Sequence, residues 1–288
     1  MNNQIKKYFY GRKLVIATMH GKEQILKNLL KRKLWVEIIL PDWLDTDAFW
    51  TFTWEKQRDG DQLEAARKKL LKALKLTGES LWVATEWTFW PDANIPFLSS
   101  HRELMILIDT KNNLEIIWHS QSFDTNLAWE VVEKEDEIKD FLKKIGFPKH
   151  GVIIRKKAWD NKNIIKDVSS IDGVLQEVSK LQQKSFFSKK VYLETDMRAM
   201  KNPTRMKYIE LACENLIEKL SSSCPKCWTP WFSITDIVPW LPCEWCKSPT
   251  SLPLSEIHSC KSCWHSETHQ SKKYGKYSPA GNCLNCNP

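Results

Sequence analysis

The chain has 288 residues, 42% hydrophobic and 27% charged, enough apolar content to bury a core of one or two domains. That balance excludes a disordered or collagenous chain, and no apolar run approaches the ~18–20 residues a bilayer needs, so no membrane association is expected. The net charge of +8 favours phosphate-bearing partners, although the Lys-rich stretches 22–33 and 67–75 also fit the solvated faces of amphipathic helices.

The amino terminus, MNNQIKKYFYGRK, has basic residues without an apolar stretch behind them, which points to a cytoplasmic protein. Leu14–Thr18 reads as a strand, followed by a helix over Lys22–Leu34 with Ile25, Leu26, Leu29, Leu30 and Leu34 at helical spacing. Val36–Leu40 is strand-like. Asp61–Thr77 has Leu63, Leu70, Leu71 and Leu74 on one stripe and Gly78 in position to terminate it. Leu81–Glu86 is the next strand, and Leu104–Asp109 and Leu114–His119 flank a turn at residues 110–113 as a hairpin. A helix over Glu135–Ile145 ends at Gly146, and Gly151–Arg155 is a strand. Ile171–Leu181 is a weaker helix inside a polar region, 156–190, that reads as an insertion. Val191–Glu194 is the last strand, and Asn202-Pro203 opens a long helix, Asn as N-cap and Pro at the first helical position. The expected fold is α/β, a mixed sheet with flanking helices over residues 1–221, with tandem zinc ribbons in 222–288.

The ribbon expectation rests on the cysteines. Eight of the nine form four CxxC pairs, Cys224/Cys227, Cys243/Cys246, Cys260/Cys263 and Cys283/Cys286, while Cys213 stands alone in a helical stretch. Thiolates two residues apart face one tetrahedral ion across a tight turn, and four of them close a structural site. Two Zn2+ ions are therefore expected. Pairing in sequence order gives C-x2-C-x15-C-x2-C and C-x2-C-x19-C-x2-C and is the favoured arrangement, with an interleaved cross-brace as the alternative. The segment has too few apolar residues for a core of its own without metal.

Gly is scarce and Trp abundant, 9 against 15, where a usual Gly frequency of about 7% predicts roughly twenty. Trp228 and Trp264 follow the second Cys of a knuckle, a position that turns at positive φ and favours Gly. Specific motifs repeat the pattern: DTDAFWTFTWE (45–55), LWVATEWTFWPDA (81–93), ETDMRAMKNPTRM (194–206), CPKCWTPWF (224–232), WLPCEWCKSPT (240–250) and a final CNP. On these motifs the chain resembles an uncharacterised bacterial domain-of-unknown-function family with the pattern DTDxFGTFTGE, LGxASEGSFGPHP, ETDMRAHxNPTRM, CPxCGxPGF, GLPCxWCGxPT and CNP. Trp50, Trp54, Trp82, Trp87, Trp90, Trp228, Trp231, Trp240 and Trp264 stand where that family has Gly, and Trp35 and Trp43 fit the same exchange. The resemblance implies an alternative genetic code, UGA codons for glycine translated as Trp. Trp245 matches a family Trp and is read as genuine; genuine core aromatics throughout is the alternative. The family's PHP and RAH are Pro91-Asp92-Ala93 and Arg198-Ala199-Met200 here, so two of its histidines are missing.

Three stretches read as a phosphate and metal site. Ala17–Glu23 is a strand-to-helix turn whose amides and Lys22 suit a phosphate. Asp45, Asp47 and Glu55 precede the helix bearing Arg67 and the strand bearing Glu86. Glu194 and Asp196, spaced i,i+2 on one face, precede Arg198 and Arg205, with Asn202 at the helix start. On this reading Glu55, Glu86, Glu194, Asp196, Arg198 and Arg205 are catalytic, Lys22 and Asn202 bind the ligand, and Mg2+ bridges carboxylate and phosphate. A structural network pairing Arg198 or Arg205 with Glu194 or Asp196 is the competing reading. His20, His101, His119 and His150 carry no individual signal. Residues 10–110 are also similar, in motif order, to the inosine triphosphate pyrophosphatase-like superfamily, which implies Mg2+-dependent hydrolysis of nucleoside triphosphates with Lys22 on phosphate and Glu55 and Glu86 on metal. The two functional expectations are a Mg2+-dependent phosphohydrolase acting on nucleotides or nucleic acid, and a non-enzymatic zinc module that binds nucleic acid or a protein partner.

Overall fold

A computed structural model describes residues 3–18, 21–41, 62–91, 99–158, 160, 164–184, 188–271 and 273–287. Asp45, Asp47, Glu55, His20, Trp43, Trp50, Trp54, Asp92 and Ala93 lie outside the described residues. The elements open with α1 (Asn3–Phe9), β1 (Lys13–Ala17), α2 (Lys22–Leu34), β2 (Glu37–Ile39), α3 (Gln62–Thr77) and β3 (Leu81–Pro91). They continue with β4 (Ser99–Asp109), β5 (Leu114–Ser122), β6 (Trp129–Val132), α4 (Glu135–Ile145), β7 (Val152–Arg155), β8 (Ile164–Ile165), α5 (Ile171–Gln183) and β9 (Val191–Thr195). The last are α6 (Pro203–Leu220), β10 (Ser233–Val238), β11 (Ser255–Ser259) and β12 (Ser266–Gln270).

These form two compact units, residues 11–216, and residues 217–288 together with 1–10. The division falls inside α6, a few residues before the composition shift at 221. Residues 1–10, expected with the α/β part, belong to the C-terminal unit: Ile5 and Phe9 of α1 are fully buried, and Tyr8 Oη donates to Thr229 Oγ1 at 3.4 Å.

In the unit of residues 11–216 a five-stranded sheet has the order β2-β1-β3-β4-β5. β1 pairs in parallel with both β2 and β3, and the remaining pairs are antiparallel, so the sheet is mixed. The continuous apolar run of β1 suits a strand covered on both faces, and Leu14 to Ala17 are buried. Val15, Ala17, Trp82, Ala84, Leu104 and Ile106 pack on one face against Ala66 and Leu70 of α3. A second sheet, β6-β9-β7-β8, is wholly antiparallel. Its Val132, Val152, Ile154, Val191 and Leu193 pack with Ile138, Phe141, Leu142 and Ile145 of α4 and Val174, Val178 and Leu181 of α5. The stretch 156–190 thus supplies a strand and the apolar stripe of a helix to this core. Gly146 ends α4 at φ 78, its N–H reaching the carbonyls of Leu142 and Lys143. No helix among the described residues is long and apolar enough to cross a membrane.

One buried ion pair ties the first sheet together. Arg12 Nη1 and Nη2 meet Asp109 Oδ2 and Oδ1 at 2.6 and 2.8 Å. Asp109 also accepts from the backbone of Lys111 and Asn112, which sets the β4–β5 turn. Burial works to raise the Asp109 carboxyl, but the Arg12 and Asn112 hydrogen bonds outweigh it and hold it below its ordinary value. The Asp109 contribution is therefore present above the unfolded carboxylate range and lost as pH falls through the lowered one. Asp109→Ala is expected to destabilise the chain by about 3–5 kcal/mol at neutral pH, with a smaller difference from wild type in acid, measured by urea unfolding at several pH values.

Candidate metal centres and a buried charge cluster

Each CxxC pair forms the same tight knuckle. The N–H four residues after the first Cys donates to its carbonyl: Trp228 to Cys224 (2.9 Å), Lys247 to Cys243 (3.1 Å), Trp264 to Cys260 (2.9 Å) and Asn287 to Cys283 (2.8 Å). The knuckles gather into two four-thiol groups, Cys224, Cys227, Cys260 and Cys263, and Cys243, Cys246, Cys283 and Cys286. The pairing is the interleaved cross-brace, and the sequence-order pairing expected from spacing is corrected. The three-stranded sheet makes the choice. β10 starts after the first knuckle and β11 ends before the third, with Ser233 opposite Ser259. First and third knuckles therefore meet at one end of the sheet. A bridge from Cys243 to Ser278 joins the second knuckle to the segment leading into the fourth.

The donor set and spacing fit zinc. A tetrahedral ion with Zn–S bonds of about 2.3 Å has sulfur–sulfur edges of about 3.8 Å. The observed edges are 3.7 Å (Cys224–Cys263), 3.6 Å (Cys227–Cys260), 3.9 Å (Cys243–Cys286) and 3.5 Å (Cys246–Cys283). Four thiols around one ion would leave it no open position, the arrangement of a structural rather than a catalytic site. Among the described residues these two groups are the clusters placed to hold a metal ion. Cys213 is buried in α6, and burial pushes its thiol to about 12, which fits a packing role.

Positive φ is concentrated at tryptophans. Trp35 (φ 54), Trp228 (66), Trp231 (75), Trp240 (77) and Trp264 (61) are five such residues, with Lys247 (62) in the matching place after the second knuckle. Trp35 occupies the C-cap of α2. Trp82 and Trp87 lie instead in β3 and are buried, Trp82 Nε1 donating to the Glu79 carbonyl at 2.7 Å. Trp245 is not among the positive-φ residues.

In the unit of residues 11–216 the expected site residues separate. Lys22 and Arg205 come together around a carboxylate that sequence reasoning missed, Glu103. Lys22 Nζ donates to Thr85 Oγ1 (3.1 Å), which also meets Thr18 Oγ1 (3.1 Å). Gly21 turns at φ 80, and a Cβ there would lie 3.3 Å from Met200 Cβ, so the first and third motifs do adjoin. Arg205 Nε donates to Glu103 Oε1 (2.8 Å), which His101 Nε2 also contacts (2.8 Å). Burial works to raise the Glu103 carboxyl; Arg205, then Lys22 and His101, overcome it and lower it to about 2.

The other expected residues have different duties. Glu86 is paired with Leu104, one position from the Thr85–Met105 pair, so strand alternation turns it to the α3 face, away from Lys22. Glu194 takes Arg155 Nε at 2.8 Å, and Asp196 takes Arg198 Nη2 at 2.7 Å. Burial first, and Asp196 among the other charges, raise the Glu194 carboxyl against the pull of Arg155. Asn202 is a helix cap. Its Oδ1 accepts from Arg205 N (3.0 Å), and its Nδ2 donates to Asn126 Oδ1 (2.9 Å). No sequence signal set Glu103 and His101 apart: they fall in the polar first half of β4, ahead of the apolar run 104–108.

Fold and donor set together define an α/β protein with two four-thiol groups, each placed to hold a metal ion. The chain belongs to the family described as Domain of unknown function (DUF6671), matched over residues 69–288. No curated protein matches it. The match includes both four-thiol groups, Glu103 and Arg205, and begins after Lys22 and Glu55.

Replacing Cys224, Cys227, Cys260 and Cys263 together by Ser separates the pairings. The cross-brace predicts one retained ion, seen as a four-thiolate Co2+ spectrum at one equivalent, whereas sequence-order pairing predicts none.

Proposed function

We propose that the protein is a non-enzymatic module that binds single-stranded nucleic acid through its C-terminal unit, with two zinc ions as structural cross-links. The observation that carries this reading is an exposed patch around the second four-thiol group. Trp245, 72% exposed, projects from one knuckle and Leu284, 84% exposed, from the other knuckle of the same group. Tyr277 is also exposed and carries Lys247 Nζ at 3.9 Å from its ring centroid. The backbone bond from Glu244 N to Ser278 O (2.9 Å) keeps the Tyr277 segment beside the Trp245 knuckle. Aromatic faces with adjacent cations suit unpaired bases and their phosphates, and the net charge of +8 adds attraction.

The geometry gives less support to a Mg2+-dependent phosphohydrolase. Glu103, Glu194 and Asp196 are each held by an arginine, and Glu86 faces the other side of the sheet. Trp245→Ala is expected to weaken binding of a fluorescent oligo-U about tenfold, in line with the ~1–3 kcal/mol of one stacked base, without changing zinc content. Wild-type affinity should fall steeply with salt. Unchanged affinity in the variant, or binding indifferent to salt, would sink the reading.

We also propose that Trp35, Trp228, Trp231, Trp240 and Trp264 occupy glycine positions, the UGA reading applied to this chain. Their φ values of 54 to 77 support it, because a side chain in the left-handed region costs roughly 1–2 kcal/mol. Trp228→Gly, Trp240→Gly and Trp264→Gly are each expected to stabilise the zinc-loaded protein by about 1 kcal/mol in thermal unfolding. UGG codons at these positions in the gene would overturn the proposal.

A further inference from the structure

The cluster around Glu103 has two atoms left over. Oε1 of Glu103 takes both Arg205 Nε and His101 Nε2 at 2.8 Å, while Oε2 has no hydrogen-bond partner. Arg205 Nη2 is also without one. Glu103, His101 and Arg205 are 1%, 2% and 2% exposed. An arginine meeting a carboxylate side-on normally closes two parallel bonds. Here a single oxygen takes two donors and the second bond is not made. A buried acceptor and a buried donor then remain in one cluster, at a cost to the folded state.

The arrangement is held in place. Arg205 Nη1 donates to the Met197 carbonyl at 2.6 Å. Its backbone N–H is taken by the Asn202 cap. On the other side His101 stacks on Phe89, centroids 4.6 Å apart, and meets the edge of Tyr208 at 5.7 Å. Neither side chain turns to close the missing bond without disturbing these contacts. Lys22, on Thr85 Oγ1, adds positive charge near the carboxylate.

We propose that this cluster binds an oxyanion that still carries one proton, a hydrogen-phosphate group. Arg205 Nη2 donates to an unprotonated oxygen, and Glu103 Oε2 accepts the P–OH proton in a hydrogen bond. A carboxylate offers only lone pairs, so it admits an oxyanion that donates and repels one that does not. Sulfate has the size and charge of hydrogen phosphate but no proton at neutral pH. The site therefore discriminates between the two. This inference is independent of the nucleic-acid reading, which concerns the other unit.

The test is calorimetric titration of the zinc-loaded full chain at pH 6 and matched ionic strength with sodium phosphate, sodium sulfate and a nucleoside 5′-monophosphate. Phosphate is expected to bind at least tenfold more tightly than sulfate. Binding of the nucleotide as well assigns the site to the terminal phosphate of a larger molecule, and phosphate binding alone assigns it to the free ion; both support the proposal. Glu103→Gln, whose amide donates, is expected to admit sulfate and shrink the tenfold gap, which a merely structural glutamate would not do. Should that variant fail to fold, the phosphate–sulfate comparison on wild type decides alone. Equal affinity for both ions, or no binding of phosphate because a water fills the gap, would overturn the proposal.

Discussion

Four thiolates at the corners of one tetrahedron are the constraint on which the C-terminal unit depends. Among the described residues its buried clusters include Cys224, Phe232 and Cys260, and Cys243, Ala280 and Cys283, with Ile5, Phe9, Ile217, Leu220 and Leu241 buried besides. Four of those six cluster residues are cysteines, so apolar side chains supply little of the packing around either four-thiol group. A bound metal would supply folding free energy there, as in other small thiolate domains. The cross-brace adds a topological condition. The ligands of one ion bracket the first ligand pair of the other, so the antiparallel β10–β11–β12 sheet and both ion sites have to form together. The side chains at the knuckle tips, Trp245 and Leu284 among them, are thereby presented on rigid turns.

Arginine plays the organising part in the other unit. Arg12, Arg155, Arg198 and Arg205 each hold a carboxylate, and two of those carboxylates, Glu194 and Asp196, come from the motif that suggested catalysis. Such buried pairs add little net stability compared with apolar packing, but losing one partner strands a charge. They act as registry devices: Arg205 links α6 to β4, and Arg155 links β7 to β9 within the second sheet. Carboxylates spent in this way are poorly placed to share a divalent cation.

Local patterns were dependable where one element satisfies itself. Lys22–Leu34, the helix ending before Gly78, Glu135–Ile145 with Gly146, and the Asn202-Pro203 start all rest on periodicity and caps, forces that act within a few residues. The family motifs pointed to an uncharacterised family, and the match over residues 69–288 agrees. Elements that depend on distant partners were missed. The short β6 and β8 have no visible period and exist only because β9 and β7 pair with them, so the second sheet went unseen. α1 is a seven-residue helix, too short for a periodic pattern to announce it, and Ile5 and Phe9 are buried.

The eight cysteines, their grouping in pairs and their chemistry were legible in the linear chain, because a knuckle is a local turn and a thiolate needs a metal of the right softness. Which pairs share an ion was not, since both pairings satisfy the spacing and only the β10–β11 register, Ser233 against Ser259, brings the first and third together. The charged residues followed the same division. Their presence at strand ends and helix starts was visible along the chain. Their partners were decided by strand alternation, which sent Glu86 to one face and Glu103 to the other, and by the capped start of α6, which carried Arg205 across to Glu103.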